Sequence, residues 1–388
     1  MSEPLELSAL DGANPLGFLA AIGTVALLSE TDSSVKIGWR PRARWMPFLF
    51  SPNQLEESKV LRCIGQKLRG APVGTEKERL REATLRRFAA AKTELKNVKL
   101  RFKARGLRGK ERDAEWVKEV EPYINAFAAA RAQRLTALKA AVPSPELALG
   151  DKPDCTIVEF REHALAILSQ SKPEDRKAVD LLTSFGSELS AEEEERIQPT
   201  PLCFVNGSGK QWFLATARQL MTRKDPTKQE PSPPPCVTES NLKDCLFNRW
   251  TYSNDGLSMR WDPAEDIRYA LRLDNPGPVG AYTIWMANLL AYHALAFFPC
   301  APNGGRMMAT GWANEGETER FTWPLWNNPL SVHTLRSLLS HPAFGAGSPS
   351  AYRHELRARG VAAIFCARRI QVGNPPLHKI NFSPAEAV

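Results

Sequence analysis

The longest apolar run in the chain lies near its start and predicts a helix that is buried on all sides. Residues Leu16–Leu28 are almost wholly apolar, which is the pattern of a helix inside a core. Asn14 and Pro15 precede this run, and these residue types are favoured at the N-cap and at the first helical position. The flanking segments Leu5–Ala9 and Val35–Trp39 have the pattern of short strands.

Residues 55–142 follow a different pattern, one that is typical of helices. Ala, Leu, Glu, Lys and Arg dominate, and β-branched residues are few. Gly70–Gly74, Gly106–Gly109 and Pro122 divide the segment, which predicts three or four helices. Their apolar stripes are thin, so we expect each helix to pack on one face and to present the other to solvent or to a ligand.

Mixed patterns return after residue 150. The sequence predicts helices at Glu159–Ser169, Gln211–Met221, Ala281–Phe298 and Ser331–Leu339. It predicts strands at Leu202–Val205, Ile267–Leu271 and Val361–Gln371, and a hairpin that joins Arg306–Gly311 to Arg320–Trp323 through a turn at Asn314–Gly316. Five prolines between residues 223 and 240 predict an extended connector.

Together these changes predict an α+β fold, made of two mixed α/β lobes with a basic, mainly helical insertion. The N-terminal lobe combines residues 1–54 and 150–222, and the insertion spans residues 55–149. A proline-rich linker at residues 223–240 leads to the C-terminal lobe at residues 241–388.

Composition places the chain among globular proteins. Of its 388 residues, 43% are hydrophobic and 24% are charged, which leaves ample apolar material for a core. The chain has no run of about 18 uncharged apolar residues, and its acidic start has no basic segment ahead of an apolar one. We therefore expect neither a membrane span nor a secretory signal. The seven cysteines are scattered, which indicates reduced thiols and a cytoplasmic location.

The formal net charge of +8 is distributed unevenly along the chain. Between Lys59 and Lys139 there are 22 Lys and Arg against 9 Asp and Glu, whereas the rest of the chain has an acidic excess of five. The peak lies between Lys92 and Arg112, where nine basic residues stand against two acidic ones. Such asymmetry indicates a polyanionic partner.

The basic peak supplies the main set of candidate nucleic-acid-binding residues. Their density suits the tracking of a phosphate backbone, where about six to ten contacts give strong, salt-dependent binding. The candidates are Lys96, Lys99, Arg101, Lys103, Arg105, Arg108, Lys110 and Arg112. The alternative is a solvated helix face that binds no ligand.

A second, smaller basic cluster consists of Lys36, Arg40, Arg42 and Arg44. Trp39 and Trp45 bracket it, and arginine beside indole suits both base stacking and phosphate contact. Core anchoring is the alternative role of the two tryptophans.

No arrangement of residues indicates catalysis. The sequence has neither a His pair at metal-binding spacing nor a Cys-x-x-Cys motif. Asp262, Glu265 and Asp266 could together bind Mg²⁺, but arginines flank them, so internal ion pairing is the simpler interpretation. We expect no catalytic residue, no metal and no cofactor, and a core position for His293 on its apolar helix.

Five segments together resemble a known protein family. They are Leu10–Gly23, with the sequence LDGANPLGFLAAIG, then Asn206–Met221, Met259–Arg272, Ala287–Leu295 and Phe321–Trp326. In these segments the chain is similar to the large-subunit proteins of type I-U (also called I-G) CRISPR–Cas surveillance complexes, the Cascade complexes.

This resemblance implies a non-catalytic subunit of an RNA-guided assembly that contains crRNA and backbone Cas subunits. Large subunits of this kind bind target DNA, help to read the protospacer-adjacent motif, stabilise the opened duplex and recruit a separate helicase-nuclease. In such complexes base pairing with the guide reads most of the target, and protein reads the short motif and the backbone.

Within this resemblance, the turn at Asn206, Ser208 and Lys210 is the candidate for reading the motif. Asn and Lys side chains can pair with base edges, and a turn ahead of a helix offers free N–H groups to a phosphate. We expect the Arg40–Arg44 cluster to assist. The alternative is a plain turn that reads nothing.

Two functions from other classes remain open. A stand-alone metal-dependent nuclease would use Asp262, Glu265 and Asp266. A protein-interaction scaffold would use the basic helices to bind an acidic partner.

Overall fold

A computed structural model of the chain describes residues 3–70, 74–153, 155–170, 176–191, 196–205, 212–222, 235–265, 282–316, 318–345, 349–372 and 379–388. Helices and antiparallel sheets both contribute to it, which confirms the predicted α+β class. Among the described residues, no helix is both long enough and apolar enough to cross a bilayer.

The chain divides into two compact units. The first unit combines the described residues of Met1–Gly70, Asp151–Arg223 and Pro235–Val388. The segments that the sequence assigns to two mixed lobes therefore lie together in one unit. The described residues of the second unit are 74–150, and they are helical. The predicted proline-rich linker lies outside the described residues up to position 234.

Twelve helices are described. They are α1 Pro15–Ser29, α2 Glu57–Leu68, α3 Thr75–Ala104, α4 Gly109–Glu119, α5 Glu121–Ala140, α6 Ile157–Gln170, α7 Lys177–Phe185, α8 Phe213–Thr222, α9 Glu239–Leu246, α10 Trp285–Ala294, α11 Val332–Leu339 and α12 Arg353–Ala358. Short 3₁₀ turns lie at Pro145–Leu149, Leu295–Phe297, Pro342–Phe344 and Pro349–Tyr352.

The described strands are β1 Leu5–Glu6, β2 Lys36–Pro41, β3 Trp45–Phe50, β4 Gly186–Ala191, β5 Ile197–Pro199, β6 Asn254–Asp255, β7 Tyr282–Thr283, β8 Cys300–Asn303, β9 Arg306–Ala309, β10 Trp312–Glu315, β11 Thr318–Trp326, β12 Leu330–Ser331, β13 Val361–Val372, β14 Lys379–Phe382 and β15 Glu386–Ala387. One sheet has the order β1-β3-β2-β12, and a second has the order β10-β11-β13-β14 with β15 also paired to β13. Strands β4-β5, β6-β7 and β8-β9 form three two-stranded sheets.

Helix α1 is the centre of the first unit, as its apolar run predicts. Asn14 caps it by accepting hydrogen bonds from the backbone N–H groups of Leu16 and Gly17, at 2.8 and 3.2 Å. The helix packs along α10. At Gly23 the two backbones approach so closely that a Cβ atom there would overlap the carbonyl oxygen of Leu290. A helix can be buried on all sides in this way because its interior backbone N–H and C=O groups are already hydrogen-bonded to each other.

Aromatic side chains join α1 to the two larger sheets. The Phe18 ring stacks on Trp39 of β2 at 5.9 Å and on Trp323 of β11 at 5.7 Å between centroids. The indole N–H groups of Trp323 and Trp326 donate to the carbonyl oxygens of Gly12 and Ile37, at 2.8 and 2.7 Å. These two bonds satisfy two of the buried indole donors of the aromatic core.

Three predicted elements are wrong or shifted. Leu202–Val205 is buried but is not a strand. The strand β9 pairs with β8, and it is β10 that pairs with β11, so the predicted hairpin has the wrong partner strand. Asn314 and Glu315 lie in β10 itself, and the turn begins at Gly316. The long helix predicted from Ala281 begins at Trp285, because Tyr282–Thr283 pairs with β6 first.

Other elements are confirmed. Ser331 caps α11 by accepting a hydrogen bond from the backbone N–H of Thr334 at 3.3 Å, and β13 covers the predicted closing strand. The predicted strand at Ile267–Leu271 lies outside the described residues.

We expect Gly23→Ala to lower the free energy of unfolding by about 2 kcal/mol or more, because the added methyl group must force α1 and α10 apart. Gly65→Ala in α2 is the matched control, since its Cβ would lie 3.3 Å from a flexible methyl group of Leu242. The control is expected to be neutral or to stabilise by up to about 1 kcal/mol through helix propensity. Urea unfolding of both variants tests this, and equal midpoints would contradict the described helix contact.

Candidate nucleic-acid interface

The second unit is built on two long helices that have little core of their own. Helices α3 and α5 pack along each other, and α4 lies between them in sequence. At one end, a small hydrophobic cluster joins all three helices. It contains Val98, Phe102 and Val120, with Leu95, Leu107, Trp116 and Ile124 packed against them. Because so few positions are buried, most side chains of these helices meet solvent.

Arg105 stabilises the turn between α3 and α4 through ion pairs. Its guanidinium forms an ion pair with the Glu119 carboxylate, and another with Glu115 at 3.6 Å. The hydrogen bond from Arg105 holds the pKa of Glu119 below its ordinary value. Gly106 and Gly109 adopt positive φ angles of 65° and 62°, which a glycine reaches without strain. Arg105 therefore has a structural role in closing this turn, whereas the sequence predicts only a phosphate contact for it.

Four lysines lie along one exposed face of α3. Lys92, Lys96, Lys99 and Lys103 follow the spacing i, i+4, i+7 and i+11, which places them on a single side of a helix. All four are exposed, and none forms an ion pair with another described residue. We call this set the lysine stripe. At a rise of about 1.5 Å per residue it spans about 17 Å.

The lysine stripe contains three of the residues that the sequence singles out and one that it leaves out. Lys92 lies at the edge of the basic peak, and its i, i+4 relation to Lys96 is the signal that identifies it. Lys99 also lies 6.0 Å from the ring centroid of Trp116, so its aliphatic stem covers part of the small cluster. Arg101 is exposed on a different side of α3.

Three further candidates surround the start of α4. Arg108 is its N-cap residue and makes no side-chain capping bond, while Lys110 and Arg112 lie in the first turn. All three are exposed and have no ion pair with a described residue. Cations are unfavourable at this end of a helix because the backbone N–H groups already present partial positive charge. The same end is suited to an anion, which would bond the free N–H groups and neutralise the side chains.

The positive charge of the protein is concentrated in the second unit. Residues 71–150 contain 18 Lys and Arg against 10 Asp and Glu. This excess of eight equals the net charge of the entire chain, so the remaining residues carry no net charge. A polyanion is consequently attracted to the helices more strongly than to the rest of the molecule.

The side chains of Arg40, Arg42 and Arg44 bind other residues of the first unit. The guanidinium groups of Arg40 and Arg42 pair with the Glu6 carboxylate at 2.7 and 3.3 Å. Arg40 also covers the ring of Phe48 at 4.6 Å, and Arg44 donates to the carbonyl oxygen of Ser8. These contacts hold the β2–β3 turn against the start of the chain.

The two tryptophans of this cluster differ in burial. Trp39 is fully buried against Phe18, which makes it a core anchor, and Trp45 is partly buried. Trp39 is therefore not available for stacking on a base. The motif-reading candidates Asn206, Ser208 and Lys210 lie outside the described residues.

Asp262 and Glu265 are buried carboxylates that bind protein donors. Asp262 accepts hydrogen bonds from the Asn14 amide at 2.8 Å, the Tyr252 hydroxyl at 2.6 Å and the backbone N–H of Ala264 at 2.9 Å. The network ties the cap of α1 to the segment that precedes residue 266. These contacts are hydrogen bonds from neutral donors, whereas the sequence predicts ion pairs with the flanking arginines.

Glu265 accepts hydrogen bonds from the hydroxyl groups of Ser258 and Thr283. Burial, followed by the nearby charge of Asp262, raises the pKa of Glu265 to about 7. Asp266, the third member of the predicted acidic set, lies outside the described residues. In the described part of the chain, no three His, Cys, Asp or Glu residues come together as a metal-binding group.

His293 lies in the core, as its apolar helix predicts. It is 4% exposed, and neither ring nitrogen has a hydrogen-bond partner among the described residues. Burial, and to a lesser degree the charge of Lys177, lowers its pKa well below the ordinary value, so the neutral ring is favoured.

No protein-family model matches the sequence, and no curated protein matches it either.

We expect the free energy of unfolding to depend on the ionisation of Glu265. Its pKa of about 7 in the folded protein exceeds the ordinary 4.5, so the folded state binds this proton more tightly and loses stability as pH rises from about 4.5 through 7. Glu265→Gln removes this effect. Relative to the unsubstituted protein, the variant should gain about 2–3 kcal/mol between pH 5 and pH 8. Urea unfolding at the two pH values measures it, and an equal difference at both would contradict the assignment.

Proposed function

We propose that this protein is a non-catalytic large subunit of an RNA-guided CRISPR–Cas interference complex. In this proposal it binds target DNA, helps to read the protospacer-adjacent motif and stabilises the opened duplex. The resemblance of Leu10–Gly23 and the four other segments to the type I-U (I-G) family supports the class of complex. The charge and geometry of the second unit support the binding of nucleic acid.

The lysine stripe is the observation that carries the proposal. Its four ammonium groups are exposed, they lie on one side of a straight element, and no described carboxylate pairs with them. Like charges at i, i+4 repel each other and destabilise a helix, so this arrangement has a cost that a bound polyanion removes. The basic start of α4 (Arg108, Lys110 and Arg112) adds a second set of cations in the same unit.

The chemistry of these side chains favours phosphate contact. A lysine ammonium is a compact charge on a flexible stem, so it follows a phosphate backbone without selecting a base. Contacts of this kind position a protein on nucleic acid and carry no direct sequence information. This is the requirement of a subunit that must hold any target its guide selects.

The partners in this proposal are target DNA, a complex of crRNA with backbone Cas subunits, and a helicase-nuclease that the assembly recruits, all in the cytoplasm. The helicase-nuclease supplies the chemistry of cleavage, and the chain itself cuts nothing. The burial of Asp262 and Glu265 and their bonds to protein donors support this division of roles, because neither carboxylate is presented to a nucleic acid.

The experiment is a salt titration of DNA binding by the full-length chain, read by fluorescence anisotropy with duplex DNA. We expect the affinity to fall steeply with salt. Combined Lys96→Gln, Lys99→Gln and Lys103→Gln substitutions should reduce the slope of log K against log salt by about 2 to 3, because three fewer phosphates are neutralised. The loss should be the same for all DNA sequences.

Lys59→Gln is the matched control, since Lys59 is exposed and without a described ion pair but lies in the first unit. Its slope should equal that of the unsubstituted chain. An unchanged slope in the triple variant would overturn the assignment of the lysine stripe. Poly-glutamate that displaces DNA at equal charge concentration would favour the scaffold alternative instead.

A further inference from the structure

Helix α6 has two apolar sides, of which only one is covered. Phe160 and Ile167 are buried in the first unit. Val158 and Leu165 each precede one of them by two residues, so they lie about 160° away around the helix. Their side is open to solvent, with exposed fractions of 58% and 60%. A surface helix of a globular protein ordinarily presents polar residues outward, and α6 departs from that pattern.

Leu168 extends the uncovered side of the helix by most of a turn. It follows Leu165 by three residues and is 54% exposed. We call Val158, Leu165 and Leu168 the α6 face. The α6 face runs about 15 Å along the helix. Helix α6 packs on α7 and β4, and these contacts leave the α6 face open.

The area of the α6 face is that of a small protein interface. Its three side chains leave about 300 Å² of mostly apolar surface exposed, the size of patches that are often functional on a monomer. Interfaces between proteins are about 57% apolar, so such a patch is the apolar part of about 500 Å² on each partner. Two surfaces of this size bury about 1,000 Å² in total, which is at the lower limit for a specific interface. The area therefore suits a weak association that depends on concentration.

The charges beside the α6 face have both signs and complement a second copy of the chain. Arg161 lies on one flank of the face and Glu162 on the other, about 60° and 40° from Val158 in opposite directions. When two such helices lie parallel about a two-fold axis, the Arg161 flank of each lies beside the Glu162 flank of the other. The same axis brings the two Leu165 side chains together at the centre.

Arg161 already has one partner, and the pairing with a second copy does not require it to lose that partner. Its guanidinium forms an exposed ion pair with the Glu188 carboxylate of β4 at 2.9 Å. A guanidinium has five N–H donors and can bind two carboxylates at once, as Arg105 does in the second unit. Glu162 of a second copy can therefore join the Arg161–Glu188 pair.

Net charge does not oppose an association through the first unit. The excess of eight cations lies in residues 71–150, so the unit that contains α6 carries no net charge. Two first units consequently approach each other without net repulsion, whereas a strongly charged partner would not be attracted to this unit. A second copy of the chain is the occupant that fits both the apolar face and its flanks.

We propose that the α6 face is a dimer interface, at which α6 lies parallel to α6 of a second copy of this chain. Val158, Leu165 and Leu168 form its apolar core, and Arg161 and Glu162 form ion pairs across it. The inference goes beyond the proposed function, because it concerns the first unit and does not require the binding of nucleic acid.

The test is sedimentation velocity of the full-length chain at concentrations from about 1 to 100 μM. The protein is first freed of nucleic acid by nuclease digestion and ion exchange, because a bound strand can link two copies through the lysine stripe. We expect the monomer to convert to a dimer within this range, as an interface of this area predicts. A chain that is still monomeric at the highest concentration would contradict the proposal and assign the α6 face to a different protein.

Leu165→Glu should weaken dimerisation about 100-fold or more, because a carboxylate from each copy would meet at the centre of the interface. Glu162→Lys should weaken it about tenfold by placing a second cation beside Arg161. Leu100→Glu is the matched control, since Leu100 is 57% exposed on a helix of the second unit. It should dimerise like the unsubstituted chain.

All three substituted positions are exposed, so each variant should fold, and circular dichroism checks this. Equal dimerisation of Leu165→Glu and the Leu100→Glu control would refute the α6 face as the interface. A Glu162→Lys variant that dimerises like the unsubstituted chain would refute the parallel arrangement.

Discussion

The close approach of α1 to α10 at Gly23 is the constraint on which the first unit depends. Only a residue without a Cβ atom can meet the Leu290 carbonyl group there, so the two helices are locked at one separation. The Phe18 ring on the same helix then determines where Trp39 and Trp323 lie, and with them the two larger sheets. Because both helices are buried, a change at this contact has no solvent-exposed side on which to relax.

The Asn14 cap extends this constraint to the carboxylates of the core. Its side-chain oxygen caps α1, and its amide nitrogen donates to Asp262. Asp262 and Glu265 are thereby held among hydroxyl and amide donors rather than at a surface. The sequence suggests Asp262 and Glu265 as metal ligands. In the folded chain, these carboxylates belong instead to the contact between α1 and the segment beside α10.

The second unit differs from the first because it has little buried core. Its helices bury few side chains, and their stability rests on the small cluster around Phe102 and on the Arg105 turn. A unit with so little apolar core can place charged side chains along almost its whole length without the penalty of burying them. The exposed surfaces of these helices therefore accommodate the lysine stripe. For the same reason, the net positive charge of the chain lies in the second unit.

Local signals in the sequence predict the elements that local physics controls. The apolar run of α1, its Asn14 cap and the Ser331 cap of α11 were all predictable, because propensity and capping act within a few residues. The pairing of β9 with β8 was missed although its signal is local, because the two glycines Gly304 and Gly305 form a two-residue hairpin turn between these strands. Likewise, charge density located the cationic region but could not show that Arg105 is bound by Glu119, or that Arg40 and Arg42 share Glu6.

Lysine footprinting of the DNA-bound chain shows whether the lysine stripe contacts DNA. Reductive methylation followed by mass spectrometry, with and without saturating duplex DNA, reports which ammonium groups become covered. We expect Lys96, Lys99 and Lys103 to lose reactivity on binding, while Lys59, exposed in the first unit, keeps it. Retained reactivity along the lysine stripe in the DNA-bound chain, or equal protection of Lys59, would contradict it.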